Sequence, residues 1–204
     1  MSGRTPPGYV LAMTGASGAP YAVRLLQVLS RSGHDVHFTI SPSGAQVVKE
    51  ETGIEVSLNR FDPTVFADLD ASRVIYHHYQ DFMTGIASGS FRTLGMVVAP
   101  CSMSTLASIA HGITTNLIMR AADVHLKERR KLILVPRETP LSLVHLENMV
   151  SVTKAGAVVL PAMPGWYHRP EHLGDLVDFV VARICDGLGV EHDLGRRWGE
   201  DLPS

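Results

Sequence analysis

The stretch Tyr9-Val10-Leu11-Ala12-Met13-Thr14-Gly15-Ala16-Ser17-Gly18-Ala19 decides the fold. Five apolar residues in a row read as a strand buried on both faces, because a half-exposed strand would alternate. Gly15 and Gly18 permit a tight turn. Beyond it Val23, Leu25, Leu26, Val28 and Leu29, with Arg24, Gln27 and Arg31 between them, have helical spacing, and Gly33 stops the run. Buried strand, glycine turn and helix together open a parallel α/β unit.

The alternation continues outward. Residues 36–40, 74–76, 96–99, 132–135 and 157–160 read as further strands, the last two as buried ones, and Pro100, Pro136 and Pro161 close three of them. Residues 45–52, 104–110, 116–126, 141–152 and 173–188 read as helices. The expected fold class is a three-layer Rossmann-like (flavodoxin-like) α/β domain, with a parallel sheet and helices on both faces. Residues 1–204 form one domain, and 189–204 are expected to be a tail packing on a neighbouring subunit.

Composition bounds the function. The 204 residues carry 18 Lys+Arg against 20 Asp+Glu, a net charge of −2, without the basic excess of a nucleic-acid binder. No apolar run reaches the roughly 18 residues of a membrane span. Residues 1–8 contain Arg4 and two prolines but no apolar signal region. Cys101 and Cys185 match no metal or redox spacing and read as buried thiols, so the cytoplasm is the expected compartment. Charged residues make up 19%, below the ~25% of ordinary soluble domains, an apolar excess that a large homo-oligomer would explain.

Polar residues gather after the strands: Thr14, Gly15, Ser17 and Gly18; Ser41 and Ser43; Cys101, Ser102, Ser104 and Thr105; Arg137 and Glu138; and Pro164 to Arg169. In an open parallel sheet these carboxyl ends share one edge, where ligands bind. Hydroxyls and cations there suit phosphate. The turn at 14–19 reads either as a phosphate cradle at a helix N-terminus or as a merely structural turn. It lacks a P-loop lysine, the third glycine of a dinucleotide fingerprint, and any Tyr-x-x-x-Lys pair downstream, so a mononucleotide fits better than NAD(P). Glu138, stiffened between Pro136 and Pro140, reads as a tunable acid/base, with an ion pair to Arg137 or a helix-capping role as the plain alternatives. No metal site is expected: Pro170 separates His168 from His172, and adjacent His77 and His78 diverge. The cluster Lys127, Arg129, Arg130 and Lys131 suits a helix C-terminus and leaves room for one cation to point elsewhere.

Several motifs converge on one family. The turn at 14–19, Ala121-Ala122-Asp123-Val124-His125-Leu126-Lys127-Glu128-Arg129-Arg130, the 136–140 loop, and Pro164-Gly165-Trp166-Tyr167-His168-Arg169-Pro170 resemble the UbiX-type flavin prenyltransferases, formerly called aromatic acid decarboxylases. The 175–184 helix and Arg197-Trp198-Gly199-Glu200 fit as well, so the resemblance covers nearly the whole chain. It implies an FMN-binding fold and a metal-independent reaction. Dimethylallyl monophosphate alkylates N5 of reduced FMN, phosphate leaves, and closure at C6 gives prenylated FMN for a UbiD-type decarboxylase. A dodecamer is also implied.

By the same resemblance, Gly15, Ala16, Ser17, Ser41, Ser102, Met103, Ser104, Thr105 and Arg137 hold FMN. Ser88 and Ser90 reach the flavin from a neighbouring subunit. Lys127, Tyr167, Arg183, Arg120 and Arg137 hold the prenyl phosphate, and Glu138, Ser17 and Lys127 are the catalytic set. Glu51 and Trp198 match positions at the site margin. Ser104 stands where some relatives carry lysine. Two rivals share the cofactor: FMN-dependent cysteine decarboxylases, whose Pro-x-Met-Asn-x-x-Met-Trp motif the 161–167 stretch lacks, and a non-catalytic flavin carrier.

Overall fold

The structure is a computed structural model, and it describes residues 7–195. The strands are β1 (Gly8–Met13), β2 (Val36–Ile40), β3 (Val74–Tyr76), β4 (Thr93–Cys101), β5 (Leu132–Pro136) and β6 (Val158–Val159). They form one sheet in the order β3-β2-β1-β4-β5-β6, with every pairing parallel. The helices among the described residues are α1 (Ala19–Arg31), α2 (Pro42–Thr52), α3 (Met103–Ala110), α4 (Leu117–Lys127), α5 (Leu143–Ala155) and α6 (Leu173–Leu188).

The period of two along each strand divides the interior into two cores. Leu11, Met13, Phe38, Ile40, Val97, Ala99, Ile133 and Val135 face α1 and α6. Val10, Ala12, Met96, Val98, Leu132 and Leu134 face α3, α4 and α5. The continuous apolar runs follow from this two-sided burial. Strand order reverses between β1 and β4, which opens a crevice at their carboxyl ends.

Two expectations change. β4 begins at Thr93 and continues through Pro100 to Cys101, and its pairing with β5 breaks register between Val98 and Cys101, where Pro100 has no N–H to give. The strand expected at 157–160 shrinks to two residues at the sheet edge, with Val158 half exposed. At the start of the tail, Val190 and Leu194 are buried in the α1–α6 core. Residues 196–204, with Arg197, Trp198, Gly199 and Glu200, lie outside the described residues.

Residues 53–73 and 77–92 hold only 3-10 turns among the described elements. The first segment is pinned by Phe61 and Phe66, which pack with Phe38 and Tyr76. The second is the crossover from β3 to β4, and the 3-10 turn Gly85–Ala87 sinks Ile86 into the second core. No described helix is long and apolar enough to cross a membrane.

Candidate active site

Direct contacts knit the loops at the carboxyl edge together. The Thr14 hydroxyl donates to the Pro100 carbonyl at 2.8 Å and accepts the Ser102 N–H at 2.8 Å, which joins the ends of β1 and β4. A Cβ on Gly15 would lie 2.5 Å from Ser43 Cβ and Oγ, so only glycine allows the β1 turn to approach the start of α2. Ser41 caps α2 by accepting the Gly44 N–H at 3.0 Å, and its hydroxyl lies 3.1 Å from that of Ser43. Ser102 caps α3 through the Thr105 N–H at 3.3 Å, and its hydroxyl lies 3.1 Å from Ser104 and 3.0 Å from Thr105. Two helix N-termini thus face the crevice behind rows of hydroxyls, a donor set suited to phosphate and ribityl oxygens. The Met103 side chain turns into the core, so its contribution to the crevice is its backbone.

Arg137 closes the crevice from β5 by donating its Nε to the Ser17 carbonyl at 3.2 Å. Glu138 follows, half-buried, and its Oε1 accepts the Thr139 N–H at 3.0 Å. The capping alternative falls to Ser142, which accepts the His145 N–H at the start of α5. Glu138 thus stands on a short proline-flanked loop at the mouth of the crevice.

Glu51 is the residue that the sequence placed only at the margin. From α2 its carboxylate accepts the Gly18 N–H at 2.9 Å and the Ala19 N–H at 2.8 Å. The positive N-terminus of α1 is therefore answered by an internal anion. Burial works to raise this carboxyl, but hydrogen bonds from the Ser17 hydroxyl and from the Gly18 and Ala19 N–H groups, with the Arg137 charge, hold it below the usual carboxylate range. About three turns of helix separate Ser41 from Glu51, so pattern alone gave no sign of this contact. The signal available was an acidic residue on the last turn of α2, where a helix C-terminus disfavours it.

The remaining candidates lie elsewhere in the same chain. Lys127 ends α4 at the amino edge of the sheet and pairs with Glu128. Ser88 and Ser90, with hydroxyls 3.0 Å apart, precede β4 at that edge. Arg120 sits about two turns up α4, donating to the Ala87 carbonyl at 3.0 Å and to Asp123 at 2.9 Å. The candidates of one chain therefore divide: Gly15 to Ser17, Ser41, Ser102 to Thr105, Arg137 and Glu138 lie at one edge, and Lys127, Ser88 and Ser90 at the other. β5 alone spans roughly 16 Å between those edges. Tyr167 and Arg183 form a third group. The Tyr167 ring sets its edge on Phe179 at 5.7 Å, and Arg183 lies one turn beyond Phe179 on α6. Among the described residues, no three His, Cys, Asp or Glu side chains converge as a metal site would require.

Comparison with known proteins supplies the chemistry. The Flavoprotein family profile matches residues 4–185. The flavin prenyltransferase UbiX of Alkalihalophilus pseudofirmus is 48% identical over 201 residues, covering 98% of this chain and 100% of the relative. This chain belongs to the flavin prenyltransferase family. Its fold agrees with the crystal structure of AnUbiX (PadA1) in complex with FMN and dimethylallyl pyrophosphate, at TM-score 0.84 and 41% identity, covering 95% of this chain and 97% of that one. A dodecameric FMN-dependent UbiX-like decarboxylase from Escherichia coli O157:H7 matches at TM-score 0.83 and 44% identity, over 94% of this chain and 98% of that one. The FMN-dependent cysteine decarboxylase TvaF shares the fold alone, at 18% identity and TM-score 0.54. The flavin prenyltransferases thus match in sequence and in fold, the cysteine decarboxylases in fold only.

Proposed function

We infer that this protein joins the dimethylallyl group of dimethylallyl monophosphate to reduced FMN. The allylic C–O bond breaks and phosphate leaves as N5 gives up its proton and bonds C1 of the prenyl group; the remaining C=C then takes a proton at C2, and its C3 bonds to C6, which gives up its own proton. The observation that carries the residue roles is the Arg137–Ser17 contact, which sets the Glu138 loop against the β1 turn. Ser41, Ser102, Ser104, Thr105 and the backbone of Gly15, Ala16 and Met103 would hold the FMN phosphate and ribityl chain. Glu138 is the group to take up the departing proton, with Ser17 beside it. Side-chain cations hold the leaving phosphate and stabilise its developing charge.

Those cations require a second chain. Lys127, Ser88 and Ser90 lie at the amino edge, away from their own crevice, and complete the crevice of a neighbouring subunit. Tyr167 and Arg183 stand by the phosphate as a third group. The apolar face of α5 supports the assembly: Leu143 is 69% exposed, Val144 62% and Val150 52%, surface that a dodecamer of this family's kind would cover. The product would serve a UbiD-type decarboxylase. Cys101 and Cys185, both buried with thiols pushed up to about 12 by burial first of all, suit a cytoplasmic protein without disulfides.

The test is anaerobic incubation with reduced FMN and dimethylallyl monophosphate, followed by mass spectrometry of the extracted flavin. A gain of one five-carbon unit supports the reading. Unchanged FMN on a folded, flavin-loaded enzyme overturns it, and decarboxylation of a cysteine peptide would point to the other flavoprotein class. The same assay with the diphosphate ester separates the two donors.

A further inference from the structure

The β3–β4 crossover is held by a run of polar contacts that the chemistry above leaves unused. His37 Nδ1 lies 2.9 Å from His77 Nε2, and His77 Nδ1 lies 2.6 Å from Thr84 Oγ1. The two imidazoles stack at 5.2 Å, and Phe91 sets its edge on His37 at 5.1 Å. His37 is buried on β2, on the sheet face that the crossover passes. Burial, and then the neighbouring His37, hold His77 down to about 4, and burial lowers His37 as well, so both rings are neutral near pH 7. A neutral imidazole donates from one nitrogen and accepts at the other, so His37, His77 and Thr84 form one continuous run.

From Thr84 the chain enters the 3-10 turn that buries Ile86. Just beyond, the Ala87 carbonyl receives Arg120, and the Gly89 and Phe91 carbonyls receive Arg130. The crossover is thus tied to β2 at one end and to α4 at the other. We propose that His37, His77 and Thr84 form a positioning strut that fixes residues 85–90 and, through the Ala87 carbonyl, the guanidinium of Arg120, for use in a neighbouring subunit's site. The proposal rests on the reading that this flank completes that site.

Thr84→Val removes the hydroxyl and keeps the side-chain shape, and Thr84→Ser keeps the hydroxyl. In the full-length enzyme, Thr84→Val should raise KM for dimethylallyl monophosphate about fivefold, the equilibrium worth of one hydrogen bond, with kcat within about twofold. Deuterium uptake at amides 85–90 should quicken, and Thr84→Ser should restore both. A threonine with a merely structural role would lower the melting temperature and leave KM alone. A wild-type KM in Thr84→Val, or a raised KM that Thr84→Ser leaves uncorrected, overturns the strut. Should Thr84→Val fail to fold, His77→Phe keeps the ring against His37 without the hydrogen bonds and is read in the same way. Arg120→Gln separates this proposal from the reading beneath it. Full activity in Arg120→Gln removes the flank from the site and both claims fall. An impaired Arg120→Gln beside a wild-type Thr84→Val overturns the strut alone.

Discussion

The crevice at the carboxyl edge and the α4–crossover flank at the amino edge are built on different physics. In the crevice, short side chains lock one backbone segment to the next: the Thr14 hydroxyl bridges two strand ends, Gly15 leaves room for the Ser43 side chain, and the Glu51 carboxylate occupies the first amides of α1. On the flank, long charged side chains reach over to loop carbonyls, as Arg120 does to Ala87 and Arg130 to Phe91. Lys127, about half exposed, pairs only with the adjacent Glu128 in the contacts among described residues. A site tied by short side chains to backbone groups holds its shape alone. Arg120 and Arg130 are held by those carbonyls, and Lys127 is the flank cation left to take its final geometry from what docks against it.

The sharpest way to break this comparison is to damage the two regions in separate chains. Glu138→Gln should retain FMN and lose about 10²- to 10⁴-fold in kcat, the usual contribution of a positioned acid/base. Lys127→Gln should lose turnover through the phosphate. Co-expression of the two variants should then restore activity to about a quarter of the sites, those pairing an intact crevice with an intact lysine when chains mix at random. Mixed oligomers as inactive as the parents would place Lys127 and Glu138 in one subunit's site, and the division between edges would collapse.

The same division explains what the sequence revealed. The crevice was legible because its parts are local. A strand runs into a glycine turn at Thr14 to Ala19 and into a capping serine at Ser41 and at Ser102, and the parallel sheet brings those short segments to one edge. Glu51 escaped because its role depends on the angle at which α2 meets α1. The crossover escaped because it has no period: Ile86 is buried and Phe91 partly buried among polar residues, and the meeting of His37 with His77 across 40 positions depends on the pairing of β2 with β3. The resemblance supplied residue identities on the flank, but not the edge on which Lys127 would lie.

Acid should reach the flank before the crevice. His125 on α4 is buried, with Nδ1 2.7 Å from the Ala121 carbonyl and Nε2 2.8 Å from the Thr93 hydroxyl. Burial chiefly holds it down to about 4, and His77 is lowered likewise to about 4. In the unfolded chain both titrate near 6.5, so the unfolded state binds more protons between those values and stability falls as pH drops from about 6.5 toward 4. His125 alone should account for about 3 kcal/mol across that window. Denaturant titrations at pH 7 and pH 5, with deuterium uptake on the flank, check this. Unchanged stability across that range would mean that both imidazoles take up protons in the folded protein as readily as in the unfolded chain.

The smallest effect compares two glycines. A Cβ on Gly15 meets Ser43 Cβ and Oγ at 2.5 Å, and Ser43 sits in the first turn of α2, where its backbone cannot retreat. Gly15→Ala should therefore cost about 2 kcal/mol of stability, the range of an overpacked contact, and weaken FMN binding with it. Ser43→Gly removes both clashing atoms, so Gly15→Ala made in that background should cost much less, and the double-mutant cycle reads the difference as coupling. A Cβ on Gly89 meets the free ends of two side chains instead, the Glu128 carboxylate and Lys127 Nζ, the latter at 2.7 Å. These can swing into solvent, so Gly89→Ala should change stability by no more than about 0.5 kcal/mol. The displaced lysine is a phosphate ligand in the proposed mechanism, so turnover should fall all the same. Each region thus has a glycine whose loss is felt in its own way, as folding stability in the crevice and as catalysis on the flank. Equal stability losses at the two positions would show that the flank is as rigid as the crevice.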